Sequence, residues 1–287
     1  MTRPTGSTRR DFLKGKAATD AVVKRLGGTE DQPPVSVGSP RGSHDLLLNV
    51  GRQAMACRFE IYFNAGQYEA DTEWACEALD LVDRLEDQLS VYRDQSELSH
   101  INRRAAVEPV PIESGLFGLL LSAQKIYHET EGAFDLTSGP LSQAWGFARR
   151  KGRLPADDEL QRARARVGGH KVRLDPQQLT IRFLEPGVEI HVNSIGKGYA
   201  LDRCRELLVA TGANDFLLHG GQSSVLASGS RAGRSAGGWS VGVRDPLRPH
   251  RRLAEVFLHD RAVGTSGSGV QFFRHQGRRY GHLIDTR

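Results

Sequence analysis

The sequence predicts a single α+β domain in which an antiparallel sheet packs against helices. Two observations carry this prediction. Helical periodicity dominates the first half of the chain, whereas short strands separated by glycine-rich turns fill the second half. Because helices and strands are segregated and do not alternate, the pattern excludes a repeating βαβ array. With 38% hydrophobic and 25% charged residues over 287 positions, the chain can bury a sizeable core.

The first 43 residues are expected to precede the folded domain. Residues 8–14 resemble the twin-arginine export motif, although the stretch behind them is interrupted by charges where an export signal is apolar. Residues 29–43 are rich in proline, glycine and serine, which predicts a flexible linker. The chain therefore divides into a segment of residues 1–43 and a domain of residues 44–287. A periplasmic or membrane-associated location and a cytoplasmic one both stay open.

The domain begins with strands and continues with helices. Two apolar runs, residues 46–50 and 55–63, predict strands, and alternation in the second run indicates one buried face. Residues 74–89 place apolar side chains at helical spacing, which predicts a helix packed on the core. A second helix is predicted over residues 114–130, with Ser114 as its N-cap because serine readily accepts from the first N–H groups of a helix.

The later elements are shorter. A helix is predicted over residues 157–166, where acids precede arginines as the helix dipole favours. A hairpin is predicted over residues 171–182, with its turn at Asp175 and Pro176. Further strands are predicted at residues 216–218, 225–227, 239–243, 254–258 and 270–273.

Residues 189–202 form the most informative stretch. An alternating apolar run leads into a Gly-Lys-Gly turn around Lys197 and then into a helical pattern, which predicts a strand, a tight turn and a helix start. Backbone N–H groups at a helix start, with a lysine beside them, suit the phosphates of a nucleotide. From these residues alone, a plain glycine-rich turn with a surface lysine is the favoured interpretation, and the nucleotide site stays open.

Three further loops carry small polar residues. Residues 132–147 contain a Gly-Pro turn and form either a nucleotide-binding loop, with Asp135 and Thr137 as hydrogen-bonding groups, or a structural loop around a buried tryptophan. The turns at residues 220–224 and 264–269 are either plain β-turns or offer N–H groups and hydroxyls to a phosphate.

Composition argues against several other classes of protein. The net charge of +5 is spread along the chain without a basic stripe interleaved with aromatic residues, so we expect no nucleic-acid partner. The cysteines Cys57, Cys76 and Cys204 are odd in number and widely spaced, which predicts neither a disulfide framework nor a metal cluster. No apolar run is long enough to span a bilayer.

Six segments, in this order, resemble the FAD:protein FMN transferase family, also called the ApbE family. They are residues 96–102, 135–147, 193–202, 220–221, 265–267 and 282–285. The resemblance covers residues 45–287 and implies a single ApbE-type, T-fold-like domain. It also implies that the protein takes FAD with Mg²⁺ and transfers the FMN half to a threonine or serine hydroxyl, while AMP leaves. The implied target is a flavoprotein subunit of a membrane redox complex.

The same resemblance assigns roles in the attack of a hydroxyl on a pyrophosphate, which needs charge neutralisation, positioning and a proton acceptor. His282 is the candidate catalytic proton acceptor, since neutral imidazole accepts a proton near pH 7. Asp285 is the candidate catalytic metal ligand, helped by the backbone carbonyl of Ile195 and the hydroxyl of Thr286. The residues expected to line the FAD site are Met55, Asp135, Thr137, Lys197, Thr265 and His282.

The sequence departs from the family's pattern in several places. His191 stands where an acid is usual, Cys57 ends a Met-Gly-Thr-type turn, and Gln222 replaces the acid after the glycine pair. The family continues beyond its His-x-x-Asp motif, whereas this sequence stops at Arg287, so we expect a truncated member. Two other functions stay open: an FAD pyrophosphatase that yields FMN and AMP, and an FAD-binding protein without turnover.

Overall fold

The computed structural model describes residues 46–149, 151–233, 237–246, 248, 250–267 and 271–287. The predicted export motif and linker of residues 1–43 lie outside these ranges, and the division of the chain at residue 43 stays a prediction. The last residues of the predicted turn 264–269 and the first residue of the predicted strand 270–273 also lie outside the described residues.

The helices pack mainly in the first two thirds of the domain. They are α1 (Asp71–Leu89), α2 (Glu97–Arg104), α3 (Ser114–Glu129), α4 (Gly139–Ala144), α5 (Asp157–Ala165) and α6 (Gly196–Ala210). Two short 3₁₀ turns, Phe147–Arg149 and Gly169–Lys171, lie before and after α5. No helix in the described ranges is both long and apolar enough to cross a membrane.

The strands pair antiparallel throughout the described chain. They are β1 (Leu47–Ala54), β2 (Cys57–Asn64), β3 (Val110–Pro111), β4 (Val172–Asp175), β5 (Thr180–Phe183), β6 (Phe216–Gly220), β7 (Ser224–Ser228), β8 (Trp239–Arg244), β9 (Arg252–Leu258), β10 (Arg261–Gly264), β11 (Phe272–His275) and β12 (Arg278–Gly281). The α+β class with an antiparallel sheet is therefore confirmed.

The central sheet has five strands in the order β1-β2-β6-β7-β10. Successive side chains of a strand point to opposite faces, and both faces of this sheet are covered. On one face, the paired residues Phe63 and Phe216 pack with helices α1 and α6 in the main core. On the other face, Leu217 packs with Trp239 and Leu258 of the β8–β9 hairpin.

Three connections meet at one end of this sheet. The two-residue β1–β2 turn consists of Met55 and Ala56, whose φ angles of 48° and 58° are those of a tight hairpin turn. The β6–β7 turn occupies residues 221–223 at the same end. Strand β10 ends there as well, because Gly264 pairs with Ser224. The antiparallel register thus gathers three turns that lie far apart in sequence.

Two local predictions need correction. The polar stretch after α1 folds as the helix α2, which the sequence pattern did not predict; Ser96 caps it by accepting from the Ser99 N–H at 2.9 Å. The N-cap of α3 is Glu113 and not Ser114, so that prediction was wrong. The Glu113 carboxylate accepts from the N–H groups of Gly115 and Leu116 at 2.8 and 2.9 Å, because its side chain is long enough to extend over the first turn of the helix.

Glu113→Ala is expected to lower the free energy of unfolding by about 1 kcal/mol, since it removes a helix cap. Burial raises the pKa of Glu113, but hydrogen bonds from Gly115 and Leu116 outweigh burial and hold the pKa below 4.5. The cap therefore stabilises the protein above that pH and is lost as pH falls through the lowered pKa.

Chemical denaturation at several pH values measures this effect. Ser114→Ala removes one exposed hydrogen bond to the Glu113 carboxylate but leaves the cap itself, so this comparison variant should change stability by less than about 0.5 kcal/mol. A larger loss in Ser114→Ala than in Glu113→Ala would contradict the assignment of the cap.

Candidate functional site

Residues 188–192 lead into helix α6, but they do not form the strand that the sequence predicted. Their partners come from side chains and loops. The Asn102 side chain accepts from Ile190 N–H at 2.8 Å and donates to the Ile190 carbonyl at 3.0 Å. His191 N–H donates to the Leu136 carbonyl at 2.8 Å. A single asparagine thus replaces the neighbouring strand and fixes the entry to α6.

Lys197, in the first turn of α6, reaches the end of the central sheet. Its Nζ donates to Ser223 Oγ at 2.6 Å, and the Ser223 carbonyl accepts from Thr265 N–H at 2.7 Å. The Gly221 Cα lies against Cys57, so a Cβ there would come within 3.0 Å of the Cys57 side chain. We call Cys57, Lys197, Gly221, Ser223 and Thr265 the sheet-end group.

The sheet-end group has the chemistry of a phosphate site. An ammonium carries three donors, and one of those of Lys197 is used by Ser223. Burial raises the pKa of the Cys57 thiol, while the Lys197 cation opposes the rise. Met55 lies in the adjacent β1–β2 turn and packs partly against the core. The structure therefore brings Met55, Lys197 and Thr265 to one end of the sheet, as the FAD-site prediction requires.

Asp135 and Thr137 are engaged inside the protein. Asp135 Oδ1 accepts from the N–H and the hydroxyl of Thr137, both at 2.7 Å, and Oδ2 accepts from Gly169 N–H at 2.9 Å. Thr137 Oγ1 also accepts from Gly168 N–H at 2.7 Å. Thr137 is 0% exposed and Asp135 is 9% exposed. These contacts hold loop 135–139 against loop 168–169, and direct contact of the two side chains with FAD stays a prediction.

His191 fills the space above the N-terminus of α4. Its ring lies so close to the Gly139 Cα that any Cβ at residue 139 would overlap it. Its Nε2 is 3.6 Å from Glu189 Oε2, which also accepts from Gln143 Nε2 at 3.2 Å. The nearby His191 imidazole is the main cause that lowers the pKa of Glu189. The resemblance leads us to expect an acid at residue 191. This chain has His191 there, and the nearest acid in sequence is Glu189, whose carboxylate lies beside the His191 imidazole.

His282 follows β12 and is held by Gln271. The Gln271 carbonyl lies 3.1 Å from His282 Nδ1 and also accepts from His282 N–H at 3.2 Å. A carbonyl only accepts, so Nδ1 carries the proton in the neutral ring and Nε2 keeps its lone pair. The ring packs edge-on to Phe147, with centroids 6.4 Å apart. This geometry leaves Nε2 as the nitrogen that accepts a proton.

Asp285 and Thr286 follow in an anchored segment. Arg287 donates to Asp285 from its backbone N–H and guanidinium, which lowers the pKa of the exposed Asp285 carboxyl to about 2. Thr286 Oγ1 donates to the Gly132 carbonyl at 2.6 Å. Ile284 packs beside α4 and α5. We call Gln271, His282, Asp285, Thr286 and Arg287 the C-terminal group.

The proposed metal ligands are hard oxygen donors, which fits Mg²⁺. Asp285 is ionised at neutral pH and lies next to Thr286 in sequence. The Ile195 carbonyl lies at the start of α6, where it accepts from Tyr199 N–H at 3.0 Å. Within the described ranges, no hydrogen bond or ion pair joins Ile195 to Asp285 or Thr286, and no cluster of three or more His, Cys, Asp or Glu side chains suits a metal. The metal assignment therefore stays a proposal.

Comparison with known proteins decides the family. The sequence model described as "ApbE family" matches residues 55–287. The chain belongs to the ApbE family. A Vibrio cholerae protein named FAD:protein FMN transferase is 30% identical over 208 residues, which cover 71% of this chain and 61% of that protein. A Haemophilus influenzae protein of the same name is 27% identical over 252 residues, or 84% of this chain and 71% of that protein.

Solved ApbE structures share the fold. The crystal structure of the ApbE protein from Thermotoga maritima superposes with a TM-score of 0.75 and 26% identity, covering 84% of this chain and 77% of that chain. The flavin transferase ApbE from Vibrio cholerae gives a TM-score of 0.72 and 27% identity over 84% of this chain and 76% of that chain. The match with the curated Vibrio cholerae protein spans less than two thirds of that protein's length.

Sequence patterns missed the residues that hold this candidate site in place. Ser223 accepts from Lys197, and the Gln271 carbonyl contacts His282. Asn102 accepts from Ile190 N–H, and the Gly132 carbonyl accepts from Thr286. Only the small residues after the glycine pair at residues 220–221 gave a signal for Ser223. Asn102 lies in the family-like segment 96–102 and Gly132 begins the loop 132–147, but no sequence pattern assigned either of them, or Gln271, a supporting contact.

We expect the neutral His282 ring to carry its proton on Nδ1, because a backbone carbonyl accepts from that nitrogen. Long-range ¹H–¹⁵N spectra at alkaline pH, where the ring is neutral, report which nitrogen is protonated. A His282→Ala variant assigns the signals. A proton on Nε2 would contradict the described geometry.

Proposed function

We propose that this chain is a Mg²⁺-dependent FAD:protein FMN transferase. The observation that carries the proposal is the sheet-end group, where Lys197 is held over a glycine turn by Ser223 while Thr265 is bound to the same serine. A lysine at a helix start beside a glycine turn is an arrangement that suits a pyrophosphate. The names of the similar Vibrio cholerae and Haemophilus influenzae proteins support the same reaction.

The reaction needs one bond exchange and one proton transfer. The acceptor hydroxyl oxygen forms a bond to the phosphorus of the FMN half of FAD, and the P–O bond to AMP breaks. The hydroxyl proton passes to Nε2 of His282, which the Nδ1 contact keeps unprotonated. Lys197 holds the phosphates in position. Asp285, Thr286 and the Ile195 carbonyl would hold Mg²⁺, which would supply charge neutralisation at the pyrophosphate.

The protein substrate follows from the resemblance. We assign it as a flavoprotein subunit of a membrane redox complex that presents a threonine or serine hydroxyl. The twin-arginine-like residues 8–14 support a periplasmic or membrane-associated location. The charges that follow them support a cytoplasmic one.

One observation favours a second candidate, an FAD-binding protein without turnover. Asp285 is paired with Arg287 through three hydrogen bonds, and a guanidinium in that position competes with a cation for the carboxylate. An FAD pyrophosphatase, in which water replaces the acceptor hydroxyl, is the third outcome that the assay distinguishes.

Incubation with FAD, Mg²⁺ and a flavoprotein acceptor domain is expected to add one FMN mass to the acceptor and to release AMP. Asp285→Asn is expected to lower metal-dependent turnover about 100-fold or more, since a charged ligand is lost. Lys197→Met is expected to raise the KM for FAD about tenfold, the cost of one charge-assisted hydrogen bond. Mass spectrometry and AMP release measure both effects.

The matched control is Asp157→Asn, which removes an exposed carboxylate at the start of α5 and should leave both rates unchanged. AMP release without a labelled acceptor identifies a pyrophosphatase. Bound FAD without AMP identifies a binding protein and contradicts the transferase proposal.

A further inference from the structure

The Asp285 carboxylate, which is the charged member of the proposed metal ligands, is already paired with a cation of this chain. Arg287 Nε donates to Oδ1 at 3.0 Å, and a terminal guanidinium nitrogen donates to Oδ2 at 3.1 Å. The Arg287 backbone N–H donates to Oδ1 as well, at 3.1 Å. A planar guanidinium that binds both carboxylate oxygens makes a strong and directional contact. A side chain of the protein thus occupies the ligand that the metal needs.

These hydrogen bonds use most of the accepting capacity of Asp285. An ionised carboxylate has about four lone-pair sites on its two oxygens. Arg287 takes three of them. A metal ion at the remaining site would lie beside the guanidinium, and two neighbouring cations repel each other. Asp285 therefore serves either cation better alone than both together.

Neighbouring segments hold Arg287 in this position. Arg164, on helix α5, donates to the Arg287 carbonyl at 2.8 Å. Thr286, between the two paired residues, donates its hydroxyl proton to the Gly132 carbonyl at 2.6 Å. Two elements that are remote in sequence therefore fix the turn that brings Arg287 back onto Asp285.

The contact is nevertheless open to exchange with solvent. The side chains of Asp285 and Arg287 are 61% and 55% exposed. Exposed ion pairs contribute little to stability and are weakened by salt. A divalent cation in solution thus reaches Asp285 and competes with a single guanidinium charge. The pair has the properties of a competitor of modest strength and not of a permanent block.

We propose that Arg287 is an internal competitor for the metal at Asp285: its guanidinium neutralises the carboxylate in the free protein, and a divalent cation binds there by displacing it. The inference rests on the proposed function, because that proposal makes Asp285 a metal ligand. The competition weakens the binding of a free metal ion. The pyrophosphate of FAD is anionic and suits both the metal and the released guanidinium, so the metal is held best when FAD is bound as well.

Mn²⁺ binding to the full chain without FAD tests the inference separately from turnover. Mn²⁺ takes the same oxygen ligands as Mg²⁺, and EPR spectroscopy measures the free ion. Arg287→Ala is expected to tighten Mn²⁺ binding about two- to fivefold, the worth of an exposed ion pair. Loss of binding in Asp285→Asn identifies the site. The gain in Arg287→Ala should shrink in about 1 M salt, where charges are screened within about 3 Å.

The matched control is Arg162→Ala. It removes the same charge from α5, where Arg162 pairs with Asp158 at 2.7 Å, and it should leave Mn²⁺ affinity unchanged. Displacement itself is measured by NMR from the proton on Arg287 Nε, which Arg287→Ala assigns. Mg²⁺ should shift this signal and speed its exchange with water in the wild-type chain, but not in Asp285→Asn.

Several results would overturn the inference. These are an equal gain in Arg162→Ala, unchanged Mn²⁺ affinity in Arg287→Ala, no Mn²⁺ site that depends on Asp285 in either protein, or Mg²⁺ binding that leaves the Arg287 signal in place. If FMN is transferred but Arg287→Ala binds Mn²⁺ no more tightly, the competition fails and the transferase stands. If no FMN is transferred but Arg287→Ala alone gains affinity, the competition stands and the transferase fails.

Discussion

The register of strands β2, β6 and β7 is the constraint on which the candidate site depends. A slip of one residue would turn every side chain of these strands to the other face. Such a slip is costly on both faces here, since one packs under α1 and α6 and the other under the β8–β9 hairpin. The fixed register brings Gly221 against Cys57 and places Ser223 where Lys197 of α6 reaches it. Core packing therefore determines the geometry of the proposed phosphate contacts.

Polar side chains support the segments that the sheet does not hold. Asn102 pairs with both backbone groups of Ile190, and Asp135 joins two loops through Thr137 and Gly169. A buried polar group that is fully hydrogen-bonded specifies one arrangement, because losing either partner leaves an unsatisfied group. Helix α4 contacts both the segment that leads into α6 and the segment that follows His282. Ile284 of the C-terminal segment packs beside α4, and His191 covers the N-terminus of the same helix.

Periodicity in the sequence was enough to predict the parts of the fold with strong hydrophobic alternation. Helix α1 and strand β2 follow their apolar patterns, and the family's motifs gave the order of the loops. Local patterns failed where a remote side chain decides the structure. Residues 189–192 have the alternation of a strand, yet their partner is Asn102. Serine is the usual N-cap, yet Glu113 caps α3. Its carboxylate is long enough to accept from the N–H groups of Gly115 and Leu116, two and three residues further along. The partners of Lys197 and His282 are likewise set by tertiary structure.

The central claim is that the end of the five-stranded sheet binds FAD. Hydrogen–deuterium exchange of the full chain, with and without saturating FAD, tests it most directly. The account predicts slower exchange of the amides at residues 55–57, 195–198, 221–223 and 264–265 together, because one ligand covers all four turns. The β4–β5 hairpin should be unaffected and serves as the internal reference. Protection confined to segments away from the sheet end, with these four turns unchanged, would contradict the account.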